Sequence, residues 1–163
     1  MLNEPAAVHF EVAASDPGER PLLQLELERA QRVASGQVEA QDLDWLGKGF
    51  SAFLANGGAI PLERCLRLPW KDGALRRACR DYWLRRAWKL IAGDLSPWRR
   101  SEALAEAVRG FEARHWARWR SLQTVPVDAA QLEVALFHAF RSSDRIPTTA
   151  MQLHNIAHHR RHS

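Results

Sequence analysis

The sequence predicts an all-α protein: a compact bundle of about six or seven helices in a single domain, residues 1–163, with an irregular N-terminal segment. Three observations carry that expectation. Apolar residues recur at helical spacing through most of the chain. Glycine, proline and capping residues interrupt it about once per helix length. No segment alternates apolar and polar residues over a strand's length.

The elements follow in order. Residues 1–19 read as an irregular arm, with Asp16-Pro17-Gly18 as a turn. A first helix is expected from about Pro21 to Ala34, ended by Ser35-Gly36, and a second from about Val38 to Ala55, stopped by Asn56-Gly57-Gly58. The second carries Leu43, Leu46, Phe50, Phe53 and Leu54 as its apolar face. Gly47 and Gly49 each cost that helix roughly 1 kcal/mol against alanine, which close packing of another helix would offset. Pro61 opens a short helix from Leu62 to Leu68. Asp72 caps a helix to about Ala92, and Ser96-Pro97 is an N-cap with proline at N1 for a long helix to about Gln123. Asp128 with Gln131 forms a capping-box variant for a helix to Ser142, and Pro147-Thr148 opens a last helix into a His/Arg-rich tail.

Composition narrows the class. With 46% apolar and 26% charged residues, the chain is neither disordered nor fibrous. Two cysteines cannot build a disulfide framework or a four-thiolate zinc site, so Cys65 and Cys79 read as reduced, partly buried thiols of a cytoplasmic protein. Residues 1–10 lack the basic start and apolar core of a signal peptide, and no stretch is long and apolar enough to span a membrane, so no membrane partner is expected.

Basic residues are 20 Arg against 3 Lys. Codon usage in a GC-rich bacterial genome explains such an excess; so does phosphate recognition, for which guanidinium is the better fork. The charge is unevenly placed. Residues 20–70 form an acidic front, residues 1–70 together balancing at −4, and residues 71–163 a basic back at +8. This asymmetry suits an anionic partner, nucleic acid first, and equally a protein whose ends attract each other within or between copies.

Helical faces sort the arginines. On the long helix Leu104, Val108, Phe111, His115, Trp119 and Leu122 share the core arc, with His115 as a core-edge histidine bonded to a carbonyl. Glu102, Glu106, Arg109, Trp116 and Arg120 lie opposite, and Arg100, Arg114 and Arg118 share a flank with few acidic neighbours. The preceding helix has apolar surface on two sides, which suits a helix sandwiched between neighbours or at an oligomer interface. Arg76, Arg77 and Arg80 cluster on it, and Arg86 falls inside its apolar arc, where a buried carboxylate is the expected partner.

Chemistry-bearing motifs are sparse. His154, His158 and His162 recur every four residues, a spacing that suits zinc. The metalloprotease motif needs Glu beside its first histidine, and this chain has Asn155 there, so no metal and no cofactor are expected. There is no Gly-x-Ser-x-Gly elbow, and Leu46-Gly47-Lys48-Gly49 is not a phosphate loop. Leu132–Phe140, a turn and a polar helix bearing Gln152, His154, Asn155, Arg160 and Arg161 resemble half of a helix-turn-helix. Trp98 and Trp116, interleaved with arginines, are candidate stacking or interface residues.

The expected function is a non-catalytic nucleic-acid-binding accessory protein, a regulator or small subunit of a nucleoprotein assembly. DNA or RNA phosphates would be met by Arg76, Arg77, Arg80, Arg100, Arg114 and Arg118, with Gln152, Asn155, Arg160 and Arg161 of the tail. The alternative is a non-catalytic helical adaptor or oligomerising subunit using the acidic front and exposed tryptophans. A third is a metal-dependent enzyme using the C-terminal histidines.

Overall fold

The computed structural model describes residues 19–71 and 73–158. It is all-helical, with seven helices and no strand among the described residues. The chain divides into two compact units, Met1–Arg67 and Leu68–Ser163, close to the boundary between acidic front and basic back.

In the first unit, α1 runs Glu19–Ala34, α2 Ala40–Ala55 and α3 Leu62–Cys65. Gly36, at φ 75°, closes α1 as expected, its N–H meeting Val33 O at 3.1 Å. Asp42 lies three residues beyond the N-cap of α2 and accepts the N–H of Glu39 at 3.1 Å. At the far end Asn56 donates to Ala52 O and accepts from Ile60 N–H, while Gly57 and Gly58 take positive φ. The third helix stops at Cys65 rather than Leu68. Arg67 turns left-handed (φ 56°), and Leu66, swung under α2, gives its carbonyl to Trp45 Nε1 at 3.2 Å. Leu66 also explains Gly49: a Cβ there would sit 2.2 Å from Leu66 Cδ2. The close neighbour is thus one leucine side chain, and Gly47 has nothing within 4 Å of its own Cβ position.

In the second unit, α4 runs Ala74–Leu90, α5 Pro97–Phe111, α6 Gln131–Ser142 and α7 Ala150–His158. The α5 rod continues through a π turn, Glu112–Trp116, and ends in a last α turn, Ala117–Trp119. Ser96 caps α5 by accepting Arg99 N–H, with Pro97 at N1 as expected. The expected cap at Asp72 lies outside the described residues; Gly73, at φ 67°, stands at the N-cap of α4. The α6 start also differs: Glu133 reaches back to Ala130 N–H at 2.9 Å, so the helix opens at Gln131 without the Asp128 box. The N-cap is therefore Ala130, two residues beyond Asp128, and Glu133 takes the acidic position three residues into the first turn.

α4 packs along α6, and α5 along α7, with further contacts from α4 to α5 and α7. Leu84, Leu104, Val108, Phe111, Leu136, Phe137, Phe140 and Leu153 fill the space between them. α4 is therefore covered on more than one side, which fits the first of the two alternatives its apolar patches allow. Arg86 is not buried there. It is exposed, its guanidinium 5.7 Å from the Trp83 ring, where cation–π contact replaces the expected carboxylate.

Candidate interaction site

The arginines of the second unit are the first candidates, and most of those the sequence singles out reach the main chain. Arg76 Nε donates to Ser142 O at 3.4 Å, with Asp144 3.6 Å from its other end. Arg80 donates to Arg145 O at 2.8 Å and pairs with Asp81. Arg100 Nε donates to Ala92 O at 3.0 Å while its guanidinium lies 4.8 Å over Trp88. Two further arginines act alike. Arg109 donates to Thr148 O at 3.0 Å, and Arg141 donates to Leu122 O and Gln123 O across the Phe137 ring. Helix ends and loops leave carbonyls without partners, and guanidinium, with five donors, satisfies them. These five side chains tie helix exits and the loop before α7 to neighbouring elements.

Arg114 and Arg118 are different. Arg118 donates to Arg114 O at 3.1 Å, one turn back on the same rod, and Arg114 lies over Gly110. Both are exposed, and among the described residues neither pairs with a carboxylate. Arg114, with Arg109 and Gly110, borders a shallow depression also lined by Ala103, Glu106 and Ala107. Arg77 is exposed too, lying over Gly73. Arg160, Arg161 and His162 lie outside the described residues.

The C-terminal helix lays its two described histidines against tryptophans of α4 and α5, His154 half-buried and His158 exposed. Ser101 Oγ takes three neighbours: Pro97 O at 3.0 Å, Trp88 Nε1 at 3.1 Å and His154 Nδ1 at 3.3 Å. With its single proton on Pro97 O, the hydroxyl accepts from both nitrogens, which sets His154 as the Nδ1–H tautomer. His158 packs edge-on to Trp88, ring centres 4.8 Å apart, and 4.3 Å from His154. Loss of hydration, then the charge of His154, lowers the His158 pKa below its usual 6.5. Gln152 and Asn155 stay exposed, with Gln152 bonded to the capping Thr149. No three His, Cys, Asp or Glu side chains come together as a metal site among the described residues.

Of the two tryptophans, Trp98 is exposed and donates to Glu102 at 3.0 Å. Trp116 is not on the outer face. It is half-buried, 5.2 Å from Phe140 and 6.3 Å from Phe137. The π turn is the reason: its i→i+5 period places the residue five after Phe111 over the core. His115 stays half-buried between Phe111 and Trp119, but its partner is the Glu133 carboxylate at 3.4 Å rather than a carbonyl, because Glu133 is already held there by Ala130 N–H. Its Nδ1 is shielded and unbonded, as suits the bare lone pair of an Nε2–H tautomer.

One surface escaped the sequence reading. Leu43, Phe50 and Leu54, three of the five residues of the expected apolar face, are 61%, 45% and 72% exposed. At about 100° per residue they share one side of α2 with Ala40, Gly47 and Ser51. The side turned inward carries Asp42, Trp45 and Gly49. Asp42 is fully shielded and gripped through both oxygens by Arg32. That fork holds the Asp42 carboxyl below its usual range, against the cost of burial.

Compared with known proteins, this chain matches no family model, no curated protein and no solved structure. No helix among the described residues is long and apolar enough to cross a membrane.

Proposed function

We propose that the protein is a non-catalytic helical adaptor that holds another protein chain on the open face of α2. The exposure of Leu43, Phe50 and Leu54 in one stripe carries this reading. Contiguous apolar surface of this kind on a soluble helix marks an interface, and covering it gains about 25 cal/mol per Å². A photo-crosslinking benzoylphenylalanine in place of Phe50 tests it. The expected result is a discrete cross-linked product that disappears with Leu43→Glu/Leu54→Glu. Labelling no stronger than from the exposed Gln41 overturns it.

A second reading, contact with nucleic-acid phosphates, is favoured by Arg114 and Arg118, exposed on successive turns beside Arg109 without a carboxylate. Binding to mixed-sequence DNA and RNA probes should then fall steeply with salt. Arg114→Gln/Arg118→Gln should shallow that slope by about two phosphates. No binding at low salt removes this reading.

A further inference from the structure

We infer that the occupant of the α2 face is a second copy of this chain, docked antiparallel about a two-fold axis between Leu46 and Gly47. The inference rests on the adaptor reading and names its partner.

Gly47 marks the crossing point. Its Cβ position is open and lies mid-stripe, so another backbone can approach there, and such an approach would offset the cost of a glycine inside a helix. Gly49, by contrast, is accounted for by Leu66.

The stripe is complementary to itself when reversed. With the axis between residues 46 and 47, Leu43 faces Phe50 of the partner subunit, and Phe50 faces Leu43 of the partner subunit. Leu54 comes opposite Glu39 of the partner subunit, the N-cap of α2, next to the exposed Val38 of the partner subunit.

Charge selects the same direction. Asp44 and Lys48, an exposed ion pair at 2.7 Å, border one flank of the stripe. In an antiparallel pair like flanks meet, and Asp44 lies within one residue, about 1.5 Å of rise, of Lys48 of the partner subunit. Two crossed ion pairs result, related by the two-fold. A parallel pair would set this flank against the flank of Leu46 and Phe53 of the partner subunit, leaving both charges unmatched.

The test is solution mass by sedimentation and light scattering over a wide concentration range. A mass twice the 18.5 kDa chain is expected, with Phe50→Asp and Leu54→Glu monomeric and their circular dichroism unchanged. Asp44→Lys and Lys48→Asp should each weaken the pair about tenfold, since like charges then face each other. Mixing these two variants should restore a heterodimer, which a role for the pair inside one helix cannot produce. A chain monomeric throughout, or a dimer indifferent to Phe50→Asp, overturns the inference. If the chain is monomeric yet Phe50 still cross-links to a different protein, the second copy is excluded and the adaptor reading stands. If neither occurs, both fall.

Discussion

Arg32 grips Asp42 across the turn between α1 and α2, Nε to Oδ2 at 2.9 Å with a second bond alongside, and Asp42 also accepts the Glu39 N–H that opens α2. One carboxylate thereby caps a helix and joins it to the one before. The hydrogen bond from Arg32 lowers its pKa from 3.8. The unfolded chain therefore takes up this proton at a higher pH than the folded one. Stability from the fork is complete above about pH 4 and is lost as pH falls through the lowered folded value. Asp42→Asn should remove that acid dependence in denaturant titrations of the first unit. Arg32→Gln should destabilise more than the paired Arg32→Met/Asp42→Leu change, because it leaves a shielded charge alone.

Gly47 and Gly49 should respond to alanine with opposite signs. At Gly47 the new methyl enters open space and improves helix propensity, so Gly47→Ala gains about 0.5–1 kcal/mol in the monomeric Leu54→Glu background. At Gly49 it collides with the buried Leu66, and overpacking costs about 1–3 kcal/mol. Chemical denaturation of the two variants measures both.

Ser101→Ala should cost about 1–3 kcal/mol by leaving Trp88 Nε1–H, and with it His154 Nδ1, without an acceptor in the core of the second unit. Thermal unfolding reads the loss. Amide exchange should rise in α7, whose His154 docks on this hydroxyl. Unchanged exchange there would show that Leu153 alone secures the helix.

Acid should loosen the second unit earlier than the first. His138, stacked 4.4 Å from Trp83, is held below pKa 6.5 by burial and by Arg141, and His158 by lost hydration and by His154. Below pH 6.5 the unfolded chain binds protons that these folded imidazoles refuse. Stability is therefore full above 6.5 and declines as pH falls through the lowered folded values. His138→Gln/His158→Gln should flatten the decline, followed by unfolding free energy between pH 7 and 5.

Local signals in the sequence were legible where the physics is local. Ser96-Pro97, Gly36 and the Asn56-Gly57-Gly58 stop each act within one turn and stand where they were expected. The π turn was not, since it adds one residue to the repeat without a glycine or proline to announce it, and this is what carried Trp116 inward. The arginine ties were hidden for another reason. Arg80 and its carbonyl at Arg145 are 65 positions apart, and a carbonyl belongs to every residue. The α2 stripe shows a third limit: periodicity reveals that an arc is apolar, and a four-residue α3 leaves half of that arc uncovered.

The carbonyl ties have an electrostatic consequence. An arginine on a carboxylate is neutralised locally by its partner, whereas one bound to a carbonyl only orients a dipole. The net excess of +8 over residues 71–163 is the same either way, but at Arg100, Arg109 and Arg141 the carbonyl ties leave the positive charge without a carboxylate beside it among the described residues. The same contacts that secure the loops give this unit a standing positive potential. It decays over about 8 Å in physiological saline, a range within which an acidic surface would feel it while every tied side chain stays in place.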